Sequence, residues 1–322
     1  MHRILYFLCC AGMLAFSGLV AAQSWPAKPV RFVISTGSGT SPDRIGRIVA
    51  DRLSKDLGQP FVPENITGAG GIIAPRTVAR APADGYTLLF CGVDTLVTNP
   101  YTVKDLGYDP QRDFDLISMI YKEGSLSVVV HPSVPAKTLP ELFALAKKDP
   151  GKLSYGTTSV NFVILFGRWL NQLAGTQMLA VAYKSPAQQF QDVLEGRINM
   201  IISSPPTVDA LMKAGKLRVL AVDGSKRFPL WPDVPNISET FPGFRLSGTG
   251  LLAAPKGTPE PVIRAAHAAM SKIIADKSYH QALLQMGFTV DDAGTPESMR
   301  QHLKDRDDTW QKVFAGLGVK PE

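Results

Sequence analysis

The chain has 322 residues, of which 45% are hydrophobic, and its formal net charge is +6 at pH 7. Its basic residues are dispersed, without a run of Lys and Arg or a basic stripe interleaved with aromatic side chains, and this argues against nucleic acid as a partner. Three cysteines are present, but Cys9 and Cys10 lie in an N-terminal apolar stretch, so Cys91 alone would survive processing and no intramolecular disulfide is expected.

Residues 1–22 have the pattern of a cleavable secretory signal peptide. Arg3 precedes an apolar stretch that extends to Val20, and small residues up to Ala22 form a cleavage site. We therefore expect export, and we expect the remaining 300 residues to fold without this segment.

Short apolar runs alternate with longer helical patterns along the rest of the chain. This alternation predicts an α/β fold with mostly parallel, doubly wound sheets. The clearest predicted strands are 30–34, 86–91, 126–131, 178–182, 200–203 and 217–222. Proline in the first turn marks predicted helix starts near Ser41, Thr138, Thr258 and Thr295.

The length of the folded part predicts two lobes, because one hydrophobic core rarely serves 300 residues. Two segments rich in Gly and Ser, 118–127 and 241–250, are candidate hinges. The predicted first lobe is discontinuous, 23–123 plus 247–322, and the predicted second lobe is 124–246. Ligands of open α/β sheets bind beyond the carboxyl ends of the strands, so the cleft between the lobes is the predicted site.

The segment that follows the first predicted strand is rich in hydrogen-bond donors. Its hydroxyl groups and flexible glycines are Ser35, Thr36, Gly37, Ser38, Gly39 and Thr40. Ser41 is the predicted N-cap of the next helix, Pro42 is its first residue, and Gly58 ends it. A polar loop at a helix N-terminus favours anions, although an ordinary capped turn explains the same pattern.

Polar loops after four other predicted strands complete the candidate site. A second polar loop between a predicted strand and a predicted helix contains Thr157, Thr158 and Ser159, with Asn161 as a candidate cap of that helix. The remaining candidates are Asp94 and Thr95, Tyr183, and Ser203 and Ser204. Asp94 favours a ligand with an amine or hydroxyl group, and an Asx turn is the alternative explanation.

Catalytic and metal-binding patterns are weak. Neither Ser38 nor Ser41 lies in a G-x-S-x-G sequence, no histidine has a partner at metal-ligand spacing, and no dinucleotide or phosphate loop is complete. We expect no enzyme activity, no metal and no cofactor. Two alternatives stay open: a secreted serine-type hydrolase that uses a first-loop serine with Asp94, and a receptor that reports ligand occupancy to a signalling protein.

Ordered sequence blocks along nearly the whole chain resemble one known family. These blocks include KPVRFVI (28–34), LGQPFVPEN (57–65), GAGG (68–71), ADGYTLLF (83–90), YDPQRDF (108–114), PGKLSYG (150–156), AGKLRVLAV (214–222) and PDVPNISE (232–239). With them the chain resembles the solute-binding receptors of tripartite tricarboxylate transporters, the Bug family. The resemblance implies a two-lobed, type II-like fold in the periplasm of a Gram-negative bacterium. It also implies a monomer that closes on a small organic carboxylate and presents it to the membrane subunits of the transporter.

The resemblance implies that two loops bind the ligand, one from Ser35 to Asp43 and the other from Tyr155 to Asn161. The chain departs from the family pattern at Ser35-Thr36, at Gly39-Thr40, and between Ser159 and Leu165, where Phe162 stands among bulky residues instead of glycines and a histidine. These departures predict a bulkier and more apolar pocket, and they favour an aromatic or hydrophobic acid over citrate. A dicarboxylic acid is the alternative ligand class.

Overall fold

The structure is a computed structural model, and it describes residues 25–158 and 161–321. The predicted signal peptide, residues 1–22, lies outside the described residues. Over the described ranges, no helix has the length and apolar character needed to cross a membrane.

Strands and helices alternate along the chain, as the sequence predicts. The strands are β1 (Val30–Ile34), β2 (Phe61–Asn65), β3 (Thr87–Gly92), β4 (Phe114–Gly124), β5 (Ser127–Val130), β6 (Ser154–Thr158), β7 (Leu179–Tyr183), β8 (Met200–Ser203), β9 (Arg218–Val222), β10 (Gly248–Pro255) and β11 (Phe288–Thr289). The α-helices are α1 (Ser41–Leu57), α2 (Ile73–Ala79), α3 (Asn99–Thr102), α4 (Leu139–Lys148), α5 (Asn161–Ala174), α6 (Pro186–Leu194), α7 (Pro205–Lys213), α8 (Glu260–Ala275), α9 (Lys277–Gln285) and α10 (Pro296–Leu317). A single π-helical turn, Asp94–Thr98, follows β3.

The described strands form two sheets, and each sheet combines parallel strand pairs with a strand that runs antiparallel to both of its neighbours. The first has the order β11-β4-β10-β3-β1-β2, and the second has the order β7-β6-β8-β5-β9. In the first sheet β1 runs parallel to β2 and β3, while β10 runs antiparallel to β3 and β4. In the second sheet β6 runs parallel to β7 and β8, while β5 runs antiparallel to β8 and β9. The predicted α/β class with two mostly parallel sheets is confirmed.

The antiparallel strands β5 and β10 lie where the chain passes between the sheets. β4 ends at Gly124 in the first sheet and β5 begins at Ser127 in the second, and the chain returns between β9 and β10. Both crossings lie within or beside the Gly- and Ser-rich segments predicted as hinges, but β4 and β10 extend into those segments and pair with each other there, with shifts of register. The residue limits of the two lobes stay a prediction.

The two sheets share an apolar core that the C-terminal helix covers. Val33 and Leu89 of the first sheet belong to the same buried cluster as Val128 of the second, and Trp310 and Phe314 of α10 lie in it too. The last turn of α10 also reaches α5, where the Arg168 guanidinium donates to the Leu317 carbonyl at 3.2 Å. α10 therefore contacts elements of both sheets.

The N-cap of helix α1 lies one residue earlier in the chain than the sequence predicts. Thr40, not Ser41, is the N-cap: its backbone is extended, and its hydroxyl accepts a hydrogen bond from the Asp43 amide at 3.3 Å. Ser41 already has helical geometry, so its hydroxyl cannot fill that role. The helix ends at Gly58, which has a φ of 73°, as the sequence predicts.

Candidate functional site

The loop between β1 and α1 extends from the carboxyl edge of the first sheet. The Ser35 amide still pairs with the Phe90 carbonyl at 3.1 Å, and the Ser35 side chain is buried. Its hydroxyl has no hydrogen-bond partner in the part of the chain that the structure describes. The amides of Gly37 and Ser38 likewise find no acceptor among residues 25–158 and 161–321. These donors at a helix N-terminus are suited to a bound anion.

The Asp43 carboxylate connects this loop to α1 and β2 through hydrogen bonds. Its buried carboxylate accepts hydrogen bonds from the Gly39 amide at 2.8 Å, the Asn65 amide group at 2.8 Å and the Arg47 guanidinium at 3.0 Å. Burial by itself raises the pKa of Asp43, but the hydrogen bonds from Gly39, Asn65 and Arg47 together hold it below its usual value. The carboxylate is thus ionised and already hydrogen-bonded by Gly39 of the loop, Arg47 of α1 and Asn65 of β2. The role of Asp43 in ligand binding stays a prediction.

The second predicted loop is described only in part. Tyr155 and Thr157 of β6 are buried, and the Tyr155 ring packs against Gly167 of α5, where an added Cβ would lie 2.3 Å from the ring. The Thr157 hydroxyl donates to the Val181 carbonyl at 3.4 Å. Ser159 lies outside the described residues, as do the side chains of Thr158 and Asn161. The position of the second predicted ligand-binding loop, from Tyr155 to Asn161, relative to the cavity therefore stays a prediction.

A cavity of about 700 Å³ lies between the two sheets, and we call it the inter-sheet cavity. Its walls come from the end of β3, α10, the crossing after β4, α5 and the end of β8. The lining residues are Pro42, Gly92, Val93, Asp94, Thr98, Asn99, Thr102, Val103, Tyr121, Gly124, Ser125, Leu126, Val163, Leu165, Ser204, Gly248, Thr249, Met286, Gly287, Phe288, Trp310 and Phe314. Among the sequence-predicted site residues, the structure brings Asp94 and Ser204 together here, beside Pro42 of the first loop.

The described lining of this cavity contains none of the predicted first-loop residues Ser35 to Thr40 and Asp43, and neither Tyr155 nor Thr157 of β6. Thr95, Tyr183 and Ser203, which were predicted on other strands and turns, do not line it either. Thr95 is buried next to the Cys91 thiol. The Tyr183 hydroxyl donates to Asp192 at 2.9 Å, and burial together with this carboxylate raises the pKa of Tyr183 to about 12. Ser203 is buried, and its carbonyl accepts from the Ser127 hydroxyl at 2.7 Å. The Tyr183 hydroxyl and the Ser203 carbonyl are thus already hydrogen-bonded within the protein.

Sequence reasoning missed most of the apolar wall. Tyr121 lies on β4 and Phe288 on the two-residue strand β11, and their rings are 4.5 Å apart. Trp310 and Phe314 of α10 have the four-residue spacing of a buried helix face, which indicates a core position but not a cavity. Nothing in the sequence pattern marks Phe288, because a two-residue strand has no periodicity.

Within the described ranges, no cluster of three or more His, Cys, Asp or Glu residues is arranged to hold a metal ion. Asp94 is the one charged side chain among the described residues that line the inter-sheet cavity. The inter-sheet cavity thus combines mostly apolar walls with one acidic side chain, and Pro42 connects it to the donor-rich loop after β1.

Comparison with known proteins identifies the class. The chain matches the family described as "Tripartite tricarboxylate transporter family receptor" over residues 45–319. It is 33% identical to a UPF0065 protein of Bordetella bronchiseptica, an alignment that covers 93% of this chain and 89% of that protein. The chain therefore belongs to the tripartite tricarboxylate transporter receptor family, a family of solute-binding receptors and not of enzymes.

Solved structures support the same assignment. Rpa4515 of Rhodopseudomonas palustris, described with adipate, is 30% identical, has a TM-score of 0.78, and covers 92% of this chain and 100% of its own. MatC of the same organism, described with bound malate, is 26% identical, has a TM-score of 0.72, and covers 90% of this chain and 99% of its own. The predicted two-lobed periplasmic binding protein fold and the family resemblance are confirmed.

Proposed function

We propose that this protein captures a small organic carboxylate in the inter-sheet cavity, closes on it by hinge motion, and delivers it to the membrane subunits of a tripartite transporter. The observation that carries the proposal is the position of this cavity, beside a loop whose Gly37 and Ser38 amides lack an acceptor among the described residues. We further propose that the protein acts as a monomer in the periplasm, as its predicted signal peptide suggests.

The energetics of the loop are compatible with useful affinity. A hydrogen bond to a charged group contributes roughly 1.5–3 kcal/mol, and a helix N-terminus adds roughly 0.3–1 kcal/mol. Dehydration of a carboxylate costs several kcal/mol, so a handful of donors is needed to reach about −8 kcal/mol, which corresponds to micromolar binding. The first loop supplies part of this set, and we assign the remainder to the loop from Tyr155 to Asn161.

The relatives support a carboxylate as the ligand class. One is described with adipate and another with malate, and both are small dicarboxylates. The inter-sheet cavity is within the usual size range of small-molecule sites.

Thermal denaturation with a panel of acids tests this function. The panel contains dicarboxylates, aromatic acids and amino acids, and the protein is first freed of co-purified ligand. Ligand at 100 times its Kd should stabilise the protein by about 2.7 kcal/mol, which raises the melting temperature by several degrees. No shift with any acid would contradict the proposal.

A pair of glycine variants provides the matched control for that measurement. Gly39 in the first loop has a φ of 82° and Gly151 in a distant turn has a φ of 77°, and neither has atoms within 4 Å of an added Cβ. Gly39→Ala and Gly151→Ala should therefore cost similar stability through backbone strain. We expect only Gly39→Ala to lose the ligand-induced shift in melting temperature, because only Gly39 lies in the loop between β1 and α1. We call this loop, with its Gly37 and Ser38 amides, the donor loop.

Delivery to a transporter needs a separate experiment. The tagged protein, saturated with the acid that the thermal panel identifies, is used to capture partners from solubilised membranes. Recovery of transporter membrane subunits supports delivery. Recovery of a sensor kinase without those subunits would assign the receptor to signalling.

A further inference from the structure

The inter-sheet cavity has an apolar wall with one charged group in it. Eleven of the described lining residues have aliphatic, aromatic or thioether side chains, among them Val163, Leu165, Met286, Phe288 and Trp310. The described lining includes no Lys, Arg or His, and Asp94 supplies its one formal charge. A ligand with two carboxylates would therefore find no cationic side chain in this part of the cavity.

Two glycines let the Asp94 carboxylate lie close to the backbone at the cavity wall, because neither has a Cβ in its way. A Cβ added at Gly92 would lie 2.3 Å from one carboxylate oxygen, and a Cβ added at Gly71 would lie 3.3 Å from the other. Across the described residues, no Lys, Arg or His forms an ion pair with Asp94. The carboxylate thus lies in the wall without a counter-cation.

The surroundings of Asp94 disfavour a free negative charge. Burial raises the pKa of Asp94, and the backbone amides of Asp94 and Thr95 offset only part of this effect. A carboxylate in such a place is stabilised by a neighbouring ammonium or hydroxyl group and destabilised by a second carboxylate. Where Asp94 is ionised, it repels a second carboxylate in the cavity, so a dicarboxylate binds only if Asp94 first takes up a proton, and the free energy of that uptake lowers the affinity.

We infer that Asp94 is the specificity-determining residue of this receptor, and that it selects a monocarboxylate that carries a hydrogen-bond donor, hydroxyl or ammonium, over a dicarboxylate. The inference rests on the proposed function, and it gives this chain a different ligand class from that of the relatives described with adipate and malate. The shared chemistry of the selected ligands is one anionic group for the donor loop and one donor for Asp94.

Calorimetric titration with six-carbon acids tests the inference. The probes are hexanoate, 2-hydroxyhexanoate, 2-aminohexanoate, 6-hydroxyhexanoate, 6-aminohexanoate and adipate, so that chain length stays constant while the second group and its position change. The wild-type protein should bind at least one hydroxy or amino acid about tenfold more tightly than hexanoate, and adipate about tenfold more weakly than that best acid.

The Asp94→Asn variant reports whether this residue is responsible. It keeps the size of the side chain and removes the charge, so adipate should bind about tenfold more tightly than to the wild-type protein and the preference for an amino group should fall. Asp51→Asn removes a charge from an exposed Asp51–Lys55 pair on α1 and should leave all affinities unchanged. A cooperative thermal transition in each variant would show that both are folded.

The outcomes separate the inference from the proposed function. Wild-type binding of adipate as tight as that of the best monocarboxylate would overturn the inference while the receptor function stands. An unchanged ranking in Asp94→Asn would overturn it as well. Absence of binding by every acid to the wild-type protein and to Asp94→Asn would overturn both.

Discussion

Asp223 is a buried carboxylate at the point where the chain leaves β9 for the first sheet. The Leu246 amide donates to one of its oxygens at 3.0 Å, and the other oxygen has no hydrogen-bond partner in the described ranges. Burial raises the pKa of Asp223 to about 7, and Glu123 adds to this effect, while Arg306 and the backbone amides of Leu246 and Gly224 oppose it. The crossing between the sheets thus contains a carboxyl group that titrates near neutral pH.

The stability of the protein should depend on this carboxyl group. The pKa of an unfolded-state aspartate is about 3.9, so the folded state holds an extra proton between about pH 4 and pH 7. The contribution of Asp223 to the free energy of unfolding is therefore fully present below pH 4 and is lost as the pH rises to 7. Asp223→Asn has no such loss. Urea denaturation at pH 5 and pH 7.5 should show a larger decrease for the wild-type protein than for the variant.

His302 changes the free energy of unfolding with pH in the opposite direction, and its effect cancels when the wild-type protein is compared with Asp223→Asn. Burial lowers the pKa of His302 to about 4, and its ring lies 2.8 Å from the Thr249 hydroxyl. The unfolded state then binds more protons between about pH 4 and pH 6.5, so His302 favours stability as the pH rises. Both proteins carry His302, so it cancels in their difference. An identical pH dependence in the wild-type protein and in Asp223→Asn would contradict the assignment to Asp223.

At the scale of single residues, the sequence predicts two of the residues that line the inter-sheet cavity, for a physical reason. Asp94 and Ser204 follow predicted strands, and the structure places both at the cavity wall, while their role in ligand binding stays a prediction. Tyr183 follows a strand too, but its hydroxyl binds Asp192 of the next helix. The position after a strand predicts the edge of the sheet, whereas the direction of a side chain depends on partners that only the folded chain supplies.

At the scale of elements, helix α1 controls the donor loop through its cap. Thr40→Ala removes the hydroxyl that accepts from the Asp43 amide, and this should cost about 1 kcal/mol in the free energy of unfolding. Ser41→Ala, the residue that sequence reasoning predicted as the cap, should change it by less than about 0.5 kcal/mol. Urea denaturation measures both values. A cost for Ser41→Ala equal to that for Thr40→Ala would return the cap to Ser41.

The strands show why some elements could be predicted and others could not. β1 and β8 have the predicted bounds because each is short and mostly apolar and buried; β1 is interrupted at Arg31 alone, and β8 has three apolar residues before Ser203. β4 was missed because Ser118, Lys122 and Glu123 interrupt its apolar pattern. Its long antiparallel pairing with β10, which includes shifts of register, supports it through contacts distant in sequence. Such tertiary support is not visible in local propensity.

At the scale of the whole molecule, two chain crossings and α10 connect the halves. Gly316 of α10 approaches α5 so closely that an added Cβ would lie 2.8 Å from Trp169. The sequence predicts α10 from its capping residue Thr295 and its apolar spacing, but it cannot predict that the helix contacts both sheets. That arrangement depends on where the chain returns to the first sheet, and hence on the complete topology.

Hinge closure should be visible as a change in overall size. A compact chain of 300 residues has a radius of gyration of about 19 Å. Small-angle scattering of the wild-type protein should give a smaller radius with a saturating acid than without it, because closure brings the two sheets together. Gly39→Ala should show no change at the same acid concentration. Calorimetric binding with an unaltered radius would exclude closure while leaving ligand capture intact.

The central claim is that an organic acid binds between the sheets with its carboxylate on the loop after β1. A crystal structure of the protein with the acid that stabilises it most tests this claim directly. We predict the ligand carboxylate within hydrogen-bond distance of the Gly37 and Ser38 amides, and the rest of the ligand in the inter-sheet cavity beside Asp94. An acid bound outside this cavity, or bound there without contact to those amides, would contradict the account.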